Sequence, residues 1–243
     1  MADALAEAAK QIAALQKQVR KLQARNTPSV YMGWTNIPVL PTYVSATSML
    51  FTGIDLTAHL TGYVKCRWYQ GGWRYGYVAS SSLGSGNTTA VILGNAVLYA
   101  AITDFSISYG NPVDFPGALS WAAVPTGVTI GNGTTLAKFS IESKKLFFDF
   151  VFTLGNTSAV SGEFSFNLPL TVSSSGVSTV TGSFRDTGTA YHATITSLSS
   201  TRCYLYRVIV SGDDVTGGVQ DATTPFTWTT NDQIGATGWC MLP

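Results

Sequence analysis

From Ser29 to the C-terminus, apolar and polar residues alternate in short runs broken by Gly, Ser, Thr and Asn clusters. The breaks recur at roughly 8–12 residues, the rhythm of all-β sandwiches and barrels. The clearest hairpin joins Val64–Tyr69 to Trp73–Val78 around Gln70-Gly71-Gly72, whose glycines supply the positive φ of a tight turn. Further strands are predicted near 136–142, 145–153, 162–169, 179–185, 190–197, 203–210 and 226–230. Seven or eight strands over that length fit an antiparallel sandwich or jelly roll. Between the two blocks, Asn111–Gly117 holds two prolines and a glycine, which cannot continue a central strand.

The front of the chain has a different period. Asp3 to Arg25 contains no Gly or Pro, and Leu5, Ile12 and Val19 recur every seven residues with Ala8, Leu15 and Leu22 three positions after each. That is an a/d heptad seam, the pattern of a short coiled coil. Three heptads are marginal alone, so the seam implies association; the alternative is one amphipathic helix docked on its own globular domain or on a larger partner. Pro28 pushes Thr27 out of the α region and ends the helix. The expected organisation is therefore mainly β: an N-terminal coiled-coil or anchor helix over 1–27, a small β-barrel-like domain over 28–110, a linker over 111–118, and a β-sandwich or jelly roll over 119–243.

Two strands are apolar on both faces. Leu146, Phe148, Phe150 and Phe152 point one way and Phe147, Asp149 and Val151 the other; Tyr204, Tyr206, Val208 and Val210 oppose Cys203, Leu205, Arg207 and Ile209. Such strands need cover on both sides, from a second layer or from neighbouring subunits. Together with the heptads this points to a homo-oligomer.

Composition narrows the function. Only 11% of residues are charged, while Ser and Thr fill 55 of 243 positions. The net charge is +1 with no basic cluster in the body of the chain, so nucleic acid is not an expected partner. No run reaches the roughly 18 apolar residues that span a bilayer, so neither is a membrane. The N-terminus lacks the apolar core of a secretory leader. Cys66, Cys203 and Cys240 are odd in number and widely spaced, which reads as buried reduced thiols.

Enzyme signatures are missing: there is no Gly-x-Ser-x-Gly, no His-Glu-x-x-His and no phosphate loop. His59 and His192 have no acidic neighbour in sequence. Asp213-Asp214 could hold calcium but reads as turn chemistry. Asp149, Glu142 and Glu163 would form a glycosidase pair only if the fold brought two of them within roughly 10 Å. No catalytic residue, metal or cofactor is expected. The aromatic cluster Trp68, Tyr69, Trp73, Tyr75 and Tyr77 with Arg67 and Arg74 is the best binding signal, since aromatic faces beside cations stack on sugar rings. Alternation sends Trp68 toward a core with Cys66 and Val64, and puts Tyr69 with Arg67 and Lys65. Arg67, Tyr69 and Arg74 are the candidate glycan-binding residues.

Several segments together resemble a family of structural proteins of tailed bacteriophages and prophages, seen as tail-fibre-like, minor tail and head-fibre proteins. They are Gly53-Ile54-Asp55-Leu56-Thr57-Ala58-His59-Leu60, Val64-Lys65-Cys66-Arg67-Trp68, Tyr75-Gly76-Tyr77-Val78, Asn87 to Leu93, the connector Asn111 to Pro116, Gly131-Asn132-Gly133-Thr134, Ala137-Lys138-Phe139, Leu154-Gly155, Val160-Ser161-Gly162, Asn167-Leu168-Pro169 and Thr224-Pro225-Phe226-Thr227-Trp228. These are turns and β edges that carry no catalytic assignment. The turn at Ser143-Lys144-Lys145 departs from the family by lacking glycine, which leaves its register open. The resemblance implies a virion protein, on the tail or capsid surface, whose N-terminal helix trimerises it or holds it to other virion proteins while the β domains project. It implies host attachment through cell-surface glycans, with a head-fibre or decoration protein and a tail-associated polysaccharide depolymerase as alternatives. A secreted non-viral adhesin is a further reading.

Overall fold

Period-two alternation is realised as antiparallel sheet throughout a computed structural model of the chain, which describes residues 30–31, 33–94, 98–99, 102–173, 178–187, 191–211 and 214–243. The heptad residues Leu5, Ala8, Ile12, Leu15, Val19 and Leu22 lie outside the described residues. The chain divides into two compact units, Met1–Pro116 and Gly117–Pro243.

The first unit contains β1 (Val30–Tyr31), β2 (Trp34–Asn36), β3 (Thr42–Ser45), β4 (Ser48–Phe51), β5 (Lys65–Tyr69), β6 (Trp73–Gly84), β7 (Asn87–Gly94) and β8 (Asp104–Ser108). They form one sheet in the order β1-β2-β8-β5-β6-β7-β4-β3. The long strand β6 pairs with β5 through Tyr77 and with β7 from Gly76 to Gly84, with a register shift between Val78 and Ser80. A bulge of this kind bends a strand and lets the sheet curl. One face closes on a core that includes Met49, Phe51, Cys66, Trp68, Val78, Ile92, Phe105 and Ile107. Trp68 is fully buried, and Gly94 makes room for it: a Cβ there would stand 2.7 Å from the indole.

The second unit contains β9 (Leu119–Ser120), β10 (Pro125–Thr129), β11 (Thr134–Glu142), β12 (Lys145–Thr153), β13 (Ala159–Asn167), β14 (Ser178–Arg185), β15 (Tyr191–Leu198), β16 (Arg202–Ser211), β17 (Asp214–Gly218) and β18 (Gln233–Met241). The path runs β10-β13-β16-β15-β14-β18-β12-β11-β9, with β17 on β16. β15 turns the corner: Tyr191–Ala193 pair with β14 and Thr194–Leu198 with β16. The two halves of the path therefore face each other. Phe150 of β12 stacks on Phe166 of β13 with ring centroids 4.0 Å apart and planes 3° apart, and Phe148 sits 6.0 Å from Phe166. The Phe-rich face of β12 thus finds its cover within the chain.

Two expectations change. Residues 226–230 are not a strand. Asp232 holds that segment in a loop, since its buried carboxylate accepts from Thr229 N–H at 2.5 Å and Thr187 N–H at 2.9 Å. The strand that follows, β18, is instead central, between β12 and β14. The Ser143-Lys144 turn keeps a continuous register from Glu142↔Lys145 to Thr134↔Thr153. It does so with both turn residues left-handed, at φ 48° and 62°. At the far end of β16, Val208 and Val210 with Val215 of β17 form a ribbon exposed to solvent.

Candidate ligand-binding surface

Sending Cys66 and Trp68 into the core obliges Lys65, Arg67 and Tyr69 to face outward. Register then sets Lys65 between Ser108 and Tyr77, Arg67 between Ser106 and Tyr75, and Tyr69 between Asp104 and Trp73. Trp34 joins this face from β2. The segment predicted as a linker lies on the same face. The Phe115 ring packs against Tyr77 at 5.3 Å, Tyr75 at 6.0 Å and Trp34 at 6.1 Å, and Lys65 Nζ donates to Gly110 O at 3.1 Å. Trp34 and Tyr77 are buried beneath it.

Arg67 is the centre of the surface. Its guanidinium lies 4.7 Å from the Trp34 ring centroid and 4.3 Å from that of Trp73. Nη1 donates to Asp114 Oδ2 at 2.7 Å, in a pair whose side chains are 10% and 33% exposed. Nε–H is buried without a hydrogen-bond partner, and the two indole faces supply the compensating attraction. Asp114 also accepts from Trp34 Nε1–H and from the Tyr75 hydroxyl at 3.2 Å. Burial pushes the Asp114 carboxyl up, but the indole hydrogen bond and the Arg67 charge together outweigh it and hold it below the usual carboxylate range. Burial first, and then the Asp114 charge, raise the Tyr75 hydroxyl.

At the rim, Tyr69 and Trp73 are 40% and 39% exposed and meet edge to face at 5.5 Å. Asp104, cross-strand from Tyr69, offers a carboxylate beside them. This shelf can stack on a flat apolar face and accept hydrogen bonds from its hydroxyls. Of the three sequence candidates, the structure brings Arg67 and Tyr69 together. Arg74 pairs with Trp68 and belongs to the opposite face. Arg67 is engaged by Asp114, so its part is to brace Trp73. Trp34, Asp114 and Phe115 were missed. They stand far from Arg67 in sequence, and the one signal for them is the run of rings Trp73, Tyr75 and Tyr77 on the face of β6 turned away from the core residue Val78, a face that needs cover.

The remaining candidates stay apart. His59 Nδ1 is 3.3 Å from the Tyr109 hydroxyl at the surface. His192 is on β15, with its side chain outside the description, as is all of Asp213; Asp214 is exposed in β17. Among the described residues no group of three His, Cys, Asp or Glu could hold a metal. Glu142 and Asp149 share the outer face of one layer, but register separates their rows by four residues, about 13 Å along the strand. Glu163 lies on the outer face of the opposing layer, bonded by Tyr206. None of these carboxylates faces another across a groove. All three cysteines are free and buried, and among the described residues no helix is long and apolar enough to cross a membrane.

Fold and surface together define a mainly β chain of antiparallel sheets with a solvent-facing aromatic shelf. In comparisons with known proteins, no family model, no curated protein and no solved structure matches it.

Proposed function

We propose that this chain is a non-enzymatic structural protein of a bacteriophage virion, of the tail-fibre or receptor-binding type, that attaches the particle to host-surface glycan. The observation that carries the reading is the Tyr69–Trp73 shelf, two rings left some 40% exposed above a buried, charge-paired arginine. A rigid aromatic pair that the core does not need is suited to a sugar face. In this reading the first unit is a small barrel-like module and the second a β-sandwich. The heptad residues Leu5 to Leu22 trimerise the chain and hold it to other virion proteins. Trimerisation multiplies weak contacts: about 1 kcal/mol per aromatic contact, over three copies, is about 3 kcal/mol, or on the order of 100-fold in avidity.

The test pairs location with binding. Immunogold labelling of intact virions with antibodies to residues 119–243 should mark the tail. Tyr69→Ala, which leaves Trp73 over Arg67, should cut adsorption to host cells by on the order of 100-fold without lowering Tm by more than about 2 °C. Unchanged adsorption by Tyr69→Ala would remove the shelf from the function. Label spread over the head would favour the second reading, a capsid head-fibre or decoration protein. That reading draws on the apolar ribbon at Val208, Val210 and Val215, which suits burial against a neighbouring subunit. The depolymerase alternative is weakened by the separation of Glu142, Asp149 and Glu163.

A further inference from the structure

The outer face of the second unit carries a trough of about 240 Å³ across β11, β12 and β18. Its side chains come in two adjacent rows set by register. Ser140, Phe147 and Trp239 make one, and Lys138, Asp149 and Thr237 the next. Lys145, one row beyond Trp239 on the far side, holds its ammonium over that ring, 4.4 Å from the centroid. A cation seated over one face of an indole is attracted to it and restrains the ring. The row of Asp149 and Thr237 lies on the other side of Trp239 along the strands, and all three line the trough.

From this arrangement we infer that the trough binds a single neutral hexopyranose of a glycan, stacked on Trp239 with Asp149 accepting its hydroxyl hydrogens. Three features select that ligand. The volume is below the roughly 300–1,000 Å³ of pockets that enclose drug-sized ligands, so it takes one ring and not a chain. The wall is aromatic, while the floor offers a carboxylate, an ammonium and two hydroxyls, which matches a ring apolar on its face and hydroxylated at its edge. Lys138 and Asp149 stand directly cross-strand, so the row carries balanced charge and favours neither an anion nor a cation. The carboxylate is already oriented, because Thr237 donates to Asp149 Oδ1. The site uses no residue of the Tyr69–Trp73 shelf and stands or falls independently of it.

The test uses the full chain, whose six tryptophans give six indole N–H signals in a ¹H–¹⁵N correlation spectrum. Those of Trp239 and Trp73 are assigned through Trp239→Phe and Trp73→Phe. Titration with methyl α-D-glucopyranoside and methyl β-D-galactopyranoside to about 50 mM should move the Trp239 signal saturably for at least one of them. The Kd expected for a ligand of this size is on the order of millimolar. Asp149→Asn, a surface change, should weaken that binding at least about 5-fold. A Trp239 signal unmoved by both glycosides, or one whose titration Asp149→Asn leaves unchanged, overturns the inference. Movement of Trp73 without Trp239 overturns it too, while leaving the shelf intact.

Discussion

Replacing Asp114 by alanine strips the counterion from a cation that the fold has already committed to burial. Arg67 retains its place between Trp34 and Trp73 but loses a charge-assisted hydrogen bond of 2.7 Å, and the Trp34 indole and Tyr75 hydroxyl lose their acceptor. Breaking a fully buried pair costs about 3–5 kcal/mol. Asp114 is a third exposed, so water can reach the vacated space, and about 2–3 kcal/mol is the discounted expectation. With a urea m-value of about 2 kcal/mol/M the midpoint should fall by about 1–1.5 M. Asp114→Asn keeps the shape and removes the charge, and should cost about half as much. A double-mutant cycle with Arg67→Met isolates the pair, and a coupling of at least about 1 kcal/mol is expected. The pH dependence has a definite sign. The folded carboxyl titrates below its ordinary value of 3.8, so its stabilisation is complete above that value and is lost as pH falls through the lower folded pKa. The gap between wild type and Asp114→Asn should therefore close in acid. A midpoint shift under about 0.3 M, or a cycle with no coupling, would refute the view that this segment is clamped to the sheet by charge.

Other parts of the chain give independent checks. Ser143→Asn with Lys144→Gly should relieve two left-handed side-chain-bearing residues and, net of the greater freedom of glycine when unfolded, stabilise by about 1 kcal/mol, read as a Tm rise of about 3–4 °C. Asp232→Ala should cost about 3 kcal/mol in urea unfolding, because the fully buried carboxylate accepts from the N–H and hydroxyl of both Thr187 and Thr229. The thiols should resist a water-soluble thiol reagent at pH 8 until urea exposes them. Burial pushes Cys203 up to about 12 and Cys240 up to about 11. Groups raised in this way stabilise fully below the unfolded value near 9 and lose that contribution as pH rises above it, so unfolding midpoints should drop between pH 9 and 11.

Much of the β architecture is visible in local pattern. The strands Thr134–Glu142 and Ala159–Asn167 announce themselves through side-to-side contrast, Ala137, Phe139 and Ile141 against Lys138, Ser140 and Glu142 in the first and Val160, Phe164 and Phe166 against Ser161, Glu163 and Ser165 in the second, because a residue that alternates between core and surface must alternate in polarity. β18 escaped for the same reason in reverse. Its outward positions include Gly235 and Trp239 and its inward ones Ala236 and Gly238, so the contrast is too weak to register although the strand is central. The stretch 226–230 misled because its aromatics favour strands, whereas Asp232 and the packing of Trp228 on Phe184 at 5.6 Å decide its course.

The sequence by itself determined the class of the protein: low charge, abundant Ser and Thr and period-two runs admit an all-β body, and alternation around Trp68 already placed Tyr69 and Arg67 on one face. Only the tertiary structure decided that Asp114 and Trp34 enclose Arg67, that Arg74 is excluded from that face, and that Trp239 stands between Lys145 and Asp149. The physical reason is range. Alternation is a property of neighbours along one strand, while sheet order and register join residues dozens of positions apart through backbone hydrogen bonds that every sequence can make.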